Sequence, residues 1–525
     1  KITVDAALDV RKTYTLIIEG YGEQPVVPTD IFDTKYFADN YHYTGDDLGA
    51  TINLENGTTT FKVWAPTAKM VSVKLYATGS DAEAGAADLG SYAMTKDVNG
   101  TWIVTIDGDL NGVYYTYSVT RRGETVEACD PYARTTGVNG DRGMVIDLKS
   151  TDPCGWEQDK NPNPLKSYTD AVLYELHVRD FSIDPASGIS EANRGKFLGL
   201  TEQGTKSPAG VPTGLDYLKS LGITHLHLLP IYDYGSVDET RLDEAQFNWG
   251  YDPVNYNTPD GSYSTDPYNG AVRVNELKQA VKALHDNGIS VVMDVVYNHV
   301  FEAGNFCFNK IVPGYFSRSN PDGSFSNGSG CGNDTASERP MVRKFIVDSI
   351  VYWQEQYHLD GFRFDLVGLL DATTINALVD AVHANRPDVI FYGEGWAPGD
   401  TAVEYGNDLA NQWNSSKVPG FGFFSDSFRE AVVPNSTSTW GFATGSGDFA
   451  DALARYMRAS TDWCTNPSQI VNYTSCHDNY CLTDKLLISK NGTGWEDITK
   501  MNRLSNAIVM MSEGVPFLYS GDEML

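Results

Sequence analysis

Three observations predict an α/β fold: a (β/α)8 barrel preceded by a small antiparallel β-sandwich. Eight apolar runs of strand length recur between residues 169 and 525, amphipathic helical patterns separate them, and short alternating strands bounded by turn residues fill residues 49–150. In such a barrel the catalytic groups follow the C-terminal ends of the strands.

Residues 1–48 read as the tail of a preceding domain and a Tyr- and Asp-rich connector, because Thr13–Glu19 is one short alternating strand without a partner nearby. The sandwich, residues 49–150, rests on Thr60–Trp64, Val71–Tyr76, Thr101–Ile106 and Val113–Val119, with Asn99-Gly100 and Asn111-Gly112 as turns. Trp64 and Trp102 suit its core better than a sugar-binding surface. Residues 151–168, rich in Pro, Asp and Asn, form the linker. The barrel, residues 169–525, then follows from runs at Val172–Leu176, His225–Leu229, Val291–Val296, Gly361–Phe364, Val389–Tyr392, Gly422–Ser425, Ile470–Thr474 and Pro516–Tyr519. Val274–Asn287 and Met341–Tyr357 carry helical periodicity between them.

Composition narrows the chemistry. Lys and Arg number 39 against 69 Asp and Glu, a net charge of -30 that repels nucleic acid and anionic lipid and favours a neutral or cationic substrate. The 30 Tyr, 22 Phe and 10 Trp supply flat faces, mostly for cores and some for sugar rings. Seven Cys with neither a repeated spacing nor a Cys-x-x-Cys pair show no structural zinc pattern and read as mostly reduced thiols, with one bridge, Cys307 to Cys331, conceivable across a loop. There is no apolar run of membrane-spanning length and no signal segment at Lys1, so any export signal is expected upstream. The acidic, Tyr- and Asn-rich composition points to an extracellular or cell-surface bacterial protein, although reduced cysteines suit the cytoplasm too.

Acidic groups stand at the predicted strand ends. The third run ends Asp294-Val-Val-Tyr-Asn-His299, the fourth Gly361-Phe-Arg-Phe-Asp365, the fifth Gly393-Glu-Gly-Trp396 and the seventh Ser475-Cys-His-Asp478. Asp365, Glu394 and Asp478 with His299, Arg363 and His477 beside them suit glycosidic cleavage through an oxocarbenium-like transition state. Arg363, two residues before Asp365 and on the same strand face, would keep that Asp ionised. Glu394, beside Tyr392 and Trp396, suits the protonated role.

These four segments resemble the signature regions of the α-amylase superfamily, and Phe247-Asn-Trp-Gly-Tyr-Asp-Pro253 resembles the Tyr-Asn-Trp-Gly-Tyr-Asp-Pro marker of type I pullulanases, departing only in its first residue. Residues 49–150 are similar to the carbohydrate-binding sandwich of debranching enzymes. The resemblance implies retaining hydrolysis of α-1,6 branch linkages in pullulan, amylopectin and related α-glucans. It assigns Asp365 as nucleophile, Glu394 as general acid then base, and Asp478 as the carboxylate that grips the sugar ring. Asp294, His299, Arg363 and His477 would line the cleavage subsite, with Tyr251 stacking on the same sugar. Asn248, Trp249, Asp252 and Trp396 complete the substrate-binding set; Trp249 also suits ordinary packing, and Asp294 a structural hydrogen-bond network. No organic cofactor is implied, and the loop Gly328–Arg339 is the candidate for calcium. The rivals are an α-1,4-acting neopullulanase or amylase, an isoamylase or branching transferase, and a non-catalytic starch-binding protein on a degenerate barrel. Only Met524-Leu525 follow the acidic end of the eighth run, so the eighth helix and the C-terminal β-domain of such enzymes are expected to be absent from this chain, either cut away or associated with it as a separate remainder.

Overall fold

The computed structural model describes residues 9–26, 29–396, 399–403 and 407–525. Residues 1–8 of the first predicted segment lie outside them. Strand β1 (Tyr14–Ile18) pairs antiparallel with β2 (Gly22–Val26), so the first strand has a partner immediately after its turn. The sequence hid this because Gly-Glu-Gln-Pro-Val has no apolar alternation, and both strands are largely solvent-exposed. The connector that follows is tied to the rest of the fold: Phe32 and Phe37 are buried, with Tyr315 of the barrel 5.3 Å and 5.6 Å away.

The sandwich forms from two antiparallel sheets. One runs β3 (Gly49–Asn53), β4 (Thr58–Trp64), β8 (Thr101–Asp107) and β7 (Thr95–Lys96); the other runs β10 (Glu124–Ala128), β9 (Tyr114–Arg121), β5 (Met70–Tyr76) and β6 (Asp88–Ala93), with β11 (Gly143–Met144) on β9. Phe61, Val73 and Tyr117 are fully buried in its core. Trp64 and Trp102 are packed there too, and their indole N–H groups donate to the backbone carbonyls of Tyr41 and Ala65. Trp64 also packs against Phe37, Phe308 and Tyr315, where the sandwich meets the barrel.

Eight parallel strands close the barrel in chain order: β12 (Leu173–Leu176), β13 (His225–Leu228), β16 (Ser290–Val295), β17 (Gly361–Phe364), β18 (Ile390–Gly393), β19 (Gly422–Phe424), β20 (Ile470–Asn472) and β21 (Val515–Tyr519), which returns to β12. Each coincides with a predicted run to within two residues. The strands β12, β13, β16, β17, β18 and β19 are buried at every position, so both faces of the sheet are covered. The helices Gly270–Asp286 and Pro340–Tyr357 pack outside, where the periodicity places them. An antiparallel pair, β14 (Tyr232–Tyr234) and β15 (Pro253–Pro259), leaves the barrel after β13 and carries the aromatic segment 247–253 between its strands.

The linker packs under the barrel. Trp156 stacks on His358 with rings 4.1 Å apart, and Asp159 accepts from both His285 and His358 at 2.9 and 2.8 Å. All seven cysteines are free, and the conceivable Cys307–Cys331 bridge is not formed: Cys307 is buried while Cys331 is exposed. Among the described residues no helix is long and apolar enough to cross a membrane.

Candidate active site

Register puts the charged groups of the barrel mouth side by side. Asp294 of β16 lies opposite Arg363 of β17, and Glu175 of β12 opposite His227 of β13. Side chains alternate along a strand, so Arg363 points inward while Phe362 and Phe364 point to the helices. Its guanidinium meets Asp294 at 3.0 Å, Asp365 at 3.3 Å and Glu394 at 2.8 Å. One cation thereby gathers three carboxylates from successive strands.

Glu394 reaches this point because its backbone is flanked by glycines. A Cβ on Gly393 would lie 2.3 Å from the Phe364 carbonyl oxygen, and one on Gly395 would lie 2.6 Å from the Phe423 ring. Across from it, Leu366 takes a left-handed conformation at φ 39°, uncommon for a branched residue. Its N–H is thereby turned to donate to Glu394 Oε2 at 3.2 Å. Asp365 is fixed from the other side by Asn298, whose amide donates to its Oδ2 at 2.8 Å.

Burial sets the protonation states. Burial pushes Glu394 up to about 7; Arg363 opposes this, and the charges of Asp365 and Asp478 reinforce it. Asp365 is also raised by burial, while Arg363 and the Asn298 hydrogen bond pull it back. In Asp294 burial again pushes upward most strongly, but Arg363, His227 and the Tyr251 hydroxyl together outweigh it and hold the group below the usual carboxylate range. It is fully buried and accepts from Tyr251 at 2.6 Å and His227 at 3.1 Å, so it supports the subsite from below.

The remaining predicted residues divide into two groups. Tyr251 stacks on His477 with centroids 4.9 Å apart, and Trp249 meets the same imidazole edge-on at 5.1 Å. His299 is buried with its ring nitrogens facing Asn298 Oδ1 at 2.7 Å and the Tyr251 carbonyl at 2.8 Å. Glu394, Trp396 and Asp478 line a cavity of about 380 Å³, the size of a small-molecule site. Asp365 adjoins it through Arg363 rather than lining it. Asn248 lines a different cavity beside Arg179 and Ser262, and Asp252 accepts from the Ser236 hydroxyl.

Sequence reasoning missed Glu175 and His227, as well as Asp426, Arg429, Asn435 and Lys485 on the cavity wall. For the first two the available signal was a lone acid in one apolar strand run and a pair of imidazoles, His225 and His227, in the next. In the loop proposed for calcium, Asp334 accepts from the Ser326 and Thr401 hydroxyls and from the Gly328 and Ser329 N–H groups. Those hydrogens occupy its lone pairs, and Glu338, the loop's other carboxylate, is paired with Arg318 at 2.7 Å, so neither is free to hold a calcium ion.

Comparison with known proteins agrees with both layers of the fold. Residues 47–133 match the carbohydrate-binding module 48 (isoamylase N-terminal domain), and residues 196–312 match the α-amylase catalytic domain. The chain is 40% identical to a pullulanase of Bacillus subtilis (strain 168), across 94% of this chain and 67% of that protein. It is 33% identical to chloroplastic pullulanase 1 of Arabidopsis thaliana, across 97% of this chain and 60% of that protein. The chain therefore spans about two thirds of the length of these relatives. The crystal structure of a pullulanase from Paenibacillus barengoltzii in complex with maltohexaose and α-cyclodextrin superposes with a TM-score of 0.89 at 47% identity, covering 94% of this chain and 76% of that one.

Proposed function

The chain belongs to the pullulanase family, and on that premise we propose that it hydrolyses α-1,6-glucosidic branch linkages in pullulan, amylopectin and related α-glucans with retention at the anomeric carbon. The observation that carries this reading is the single guanidinium of Arg363 shared by Asp365 and Glu394 beside the cavity that Asp478 lines.

Glu394, protonated near neutrality, donates its proton to the glycosidic oxygen as the bond to the leaving sugar breaks. Asp365, held ionised by Arg363 and Asn298, attacks C1 from the opposite face and forms a β-glucosyl ester. Glu394, now a carboxylate, takes a proton from water, which displaces Asp365 from C1 and restores the α-configuration. Asp478 accepts from ring hydroxyls of the distorted sugar. Tyr251, backed by His477, supplies the flat face on which that ring rests.

Pullulan decides the linkage. Release of maltotriose supports cleavage of α-1,6 bonds; release of panose would mean an α-1,4-acting enzyme, and binding without hydrolysis a starch-binding protein.

A further inference from the structure

We propose that Glu175 is a positioning residue that fixes His477 as a cationic donor to the glucose in the cleavage subsite; this deepens, and rests on, the debranching reading above. Glu175 stands on the first barrel strand and His477 in the loop after the seventh. Glu175 Oε2 accepts the His477 backbone N–H at 2.9 Å, and its Oε1 accepts Nδ1–H at 2.9 Å. One carboxylate thus clamps both the main chain and the ring of a residue 302 positions away.

The arrangement is costly unless it is used. Glu175 is 1% exposed, in a strand whose other three residues are also buried. A charge there is tolerated only when it is paired, and a neutral amide would fill the same space with less desolvation. Its other neighbour does not claim it. His227 donates from Nε2 to Asp294 at 3.1 Å, and its Nδ1, 3.9 Å from Glu175, has no hydrogen-bond partner. The charge of Glu175 is therefore directed at His477.

With Nδ1 committed, Nε2 is the ring nitrogen left for substrate. Tyr251 stacks on one face of the imidazole, with its hydroxyl 3.5 Å from Nδ1, and the edge of Trp249 closes another side. Of the charged groups around it, Glu175 and Asp478 favour the cation and Arg363 opposes it. Burial also opposes it, yet Glu175 prevails and lifts His477 to about 8. In turn His477 draws down the pKa of both Asp365 and Glu394. A cationic N–H on a sugar hydroxyl makes the stronger, charge-assisted hydrogen bond.

The test is a titration of ¹³C/¹⁵N-histidine-labelled protein by NMR, with the His477 signal assigned from its absence in H477Q, alongside pH profiles on pullulan. In the unaltered chain His477 should titrate near 8, and in E175Q at least one unit lower. At pH 7 kcat/KM of E175Q should fall about tenfold, the difference between a hydrogen bond from a charged donor and one from a neutral donor. That deficit should shrink as the pH drops below 6 and His477 regains its proton. A His477 that titrates at or below the ordinary 6.5 or so in the unaltered chain, an unchanged titration in E175Q, or a deficit equal at every pH overturns the proposal. If E175Q does not fold, the titration of the unaltered chain decides alone. Failure of the debranching reading shows separately, as an unaltered chain that frees no maltotriose from pullulan.

Discussion

Arg363 Nη2 lies 2.8 Å from Glu394 Oε1 in a site almost closed to water, yet Glu394 is pushed up to about 7. Ordinarily such a partner lowers a carboxyl group; here burial and the charges of Asp365 and Asp478 win. The arginine is divided among three carboxylates and cannot fully compensate the last of them. A proton near neutrality is the outcome, and it is what a general acid requires.

The pH profile should follow from this. Activity needs Glu394 protonated and Asp365 ionised, so kcat/KM on pullulan should fall above about pH 7, approaching tenfold per unit. The acid limb should lie above the ordinary carboxylate value, because burial raises Asp365. Steady-state rates across pH 4–9 check this; a flat profile up to pH 9 would remove Glu394 from the acid role.

Substitution separates the two carboxylates. E394Q should lower kcat on pullulan about 10²- to 10⁴-fold, the usual worth of a general acid, and D365N by on the order of 10⁴-fold. Both should leave the circular dichroism spectrum and urea midpoint near those of the parent. Near-normal turnover in either variant contradicts its assignment.

The glycine before the acid makes a structural prediction. In G393A the new methyl would sit 2.3 Å from the Phe364 carbonyl oxygen, so β17 and β18 must part. Overpacking of this kind costs about 1–3 kcal/mol. The urea midpoint should fall and turnover with it, since Glu394 moves with its strand. An unchanged midpoint would mean the two backbones are not in close contact.

Beneath the barrel, His285 sits between Asp159 and Asp360, 2.9 and 2.8 Å away, and is raised to about 9 against burial. Its folded value exceeds the ordinary 6.5 or so, so its stabilisation is complete below pH 6.5 and disappears as the pH rises through 9. The loss should be on the order of 3 kcal/mol, read as a falling urea midpoint between pH 6.5 and 9.5. In H285Q the fall should shrink by about that amount, leaving the smaller part that His477, also raised, contributes below pH 8.

The barrel was legible because strands buried on both faces read as apolar runs, and three acids followed those runs at the mouths. Glu175 escaped as a lone acid inside such a run and His227 as one of two histidines in another; only the closed barrel shows that they face its axis. Asp426, Arg429, Asn435 and Lys485 come from three segments that meet at one cavity wall, a convergence with no trace in local spacing. The marker 247–253 was visible, but its residues part company: Gly250, at φ 86° and with Pro230 3.0 Å from where a Cβ would stand, turns the chain so that Tyr251 enters the cleft while Asn248 lines a different cavity.

The most direct measurement is to trap the covalent intermediate. E394Q supplied with α-maltotriosyl fluoride needs no acid to expel its leaving group but lacks the base for the second step, so a maltotriosyl ester should accumulate. Mass spectrometry of the digested protein should find it on the peptide containing Asp365, and the unaltered chain should release the α-anomer first. An adduct on another residue, or β-anomer as the first product, would contradict nucleophilic attack by Asp365.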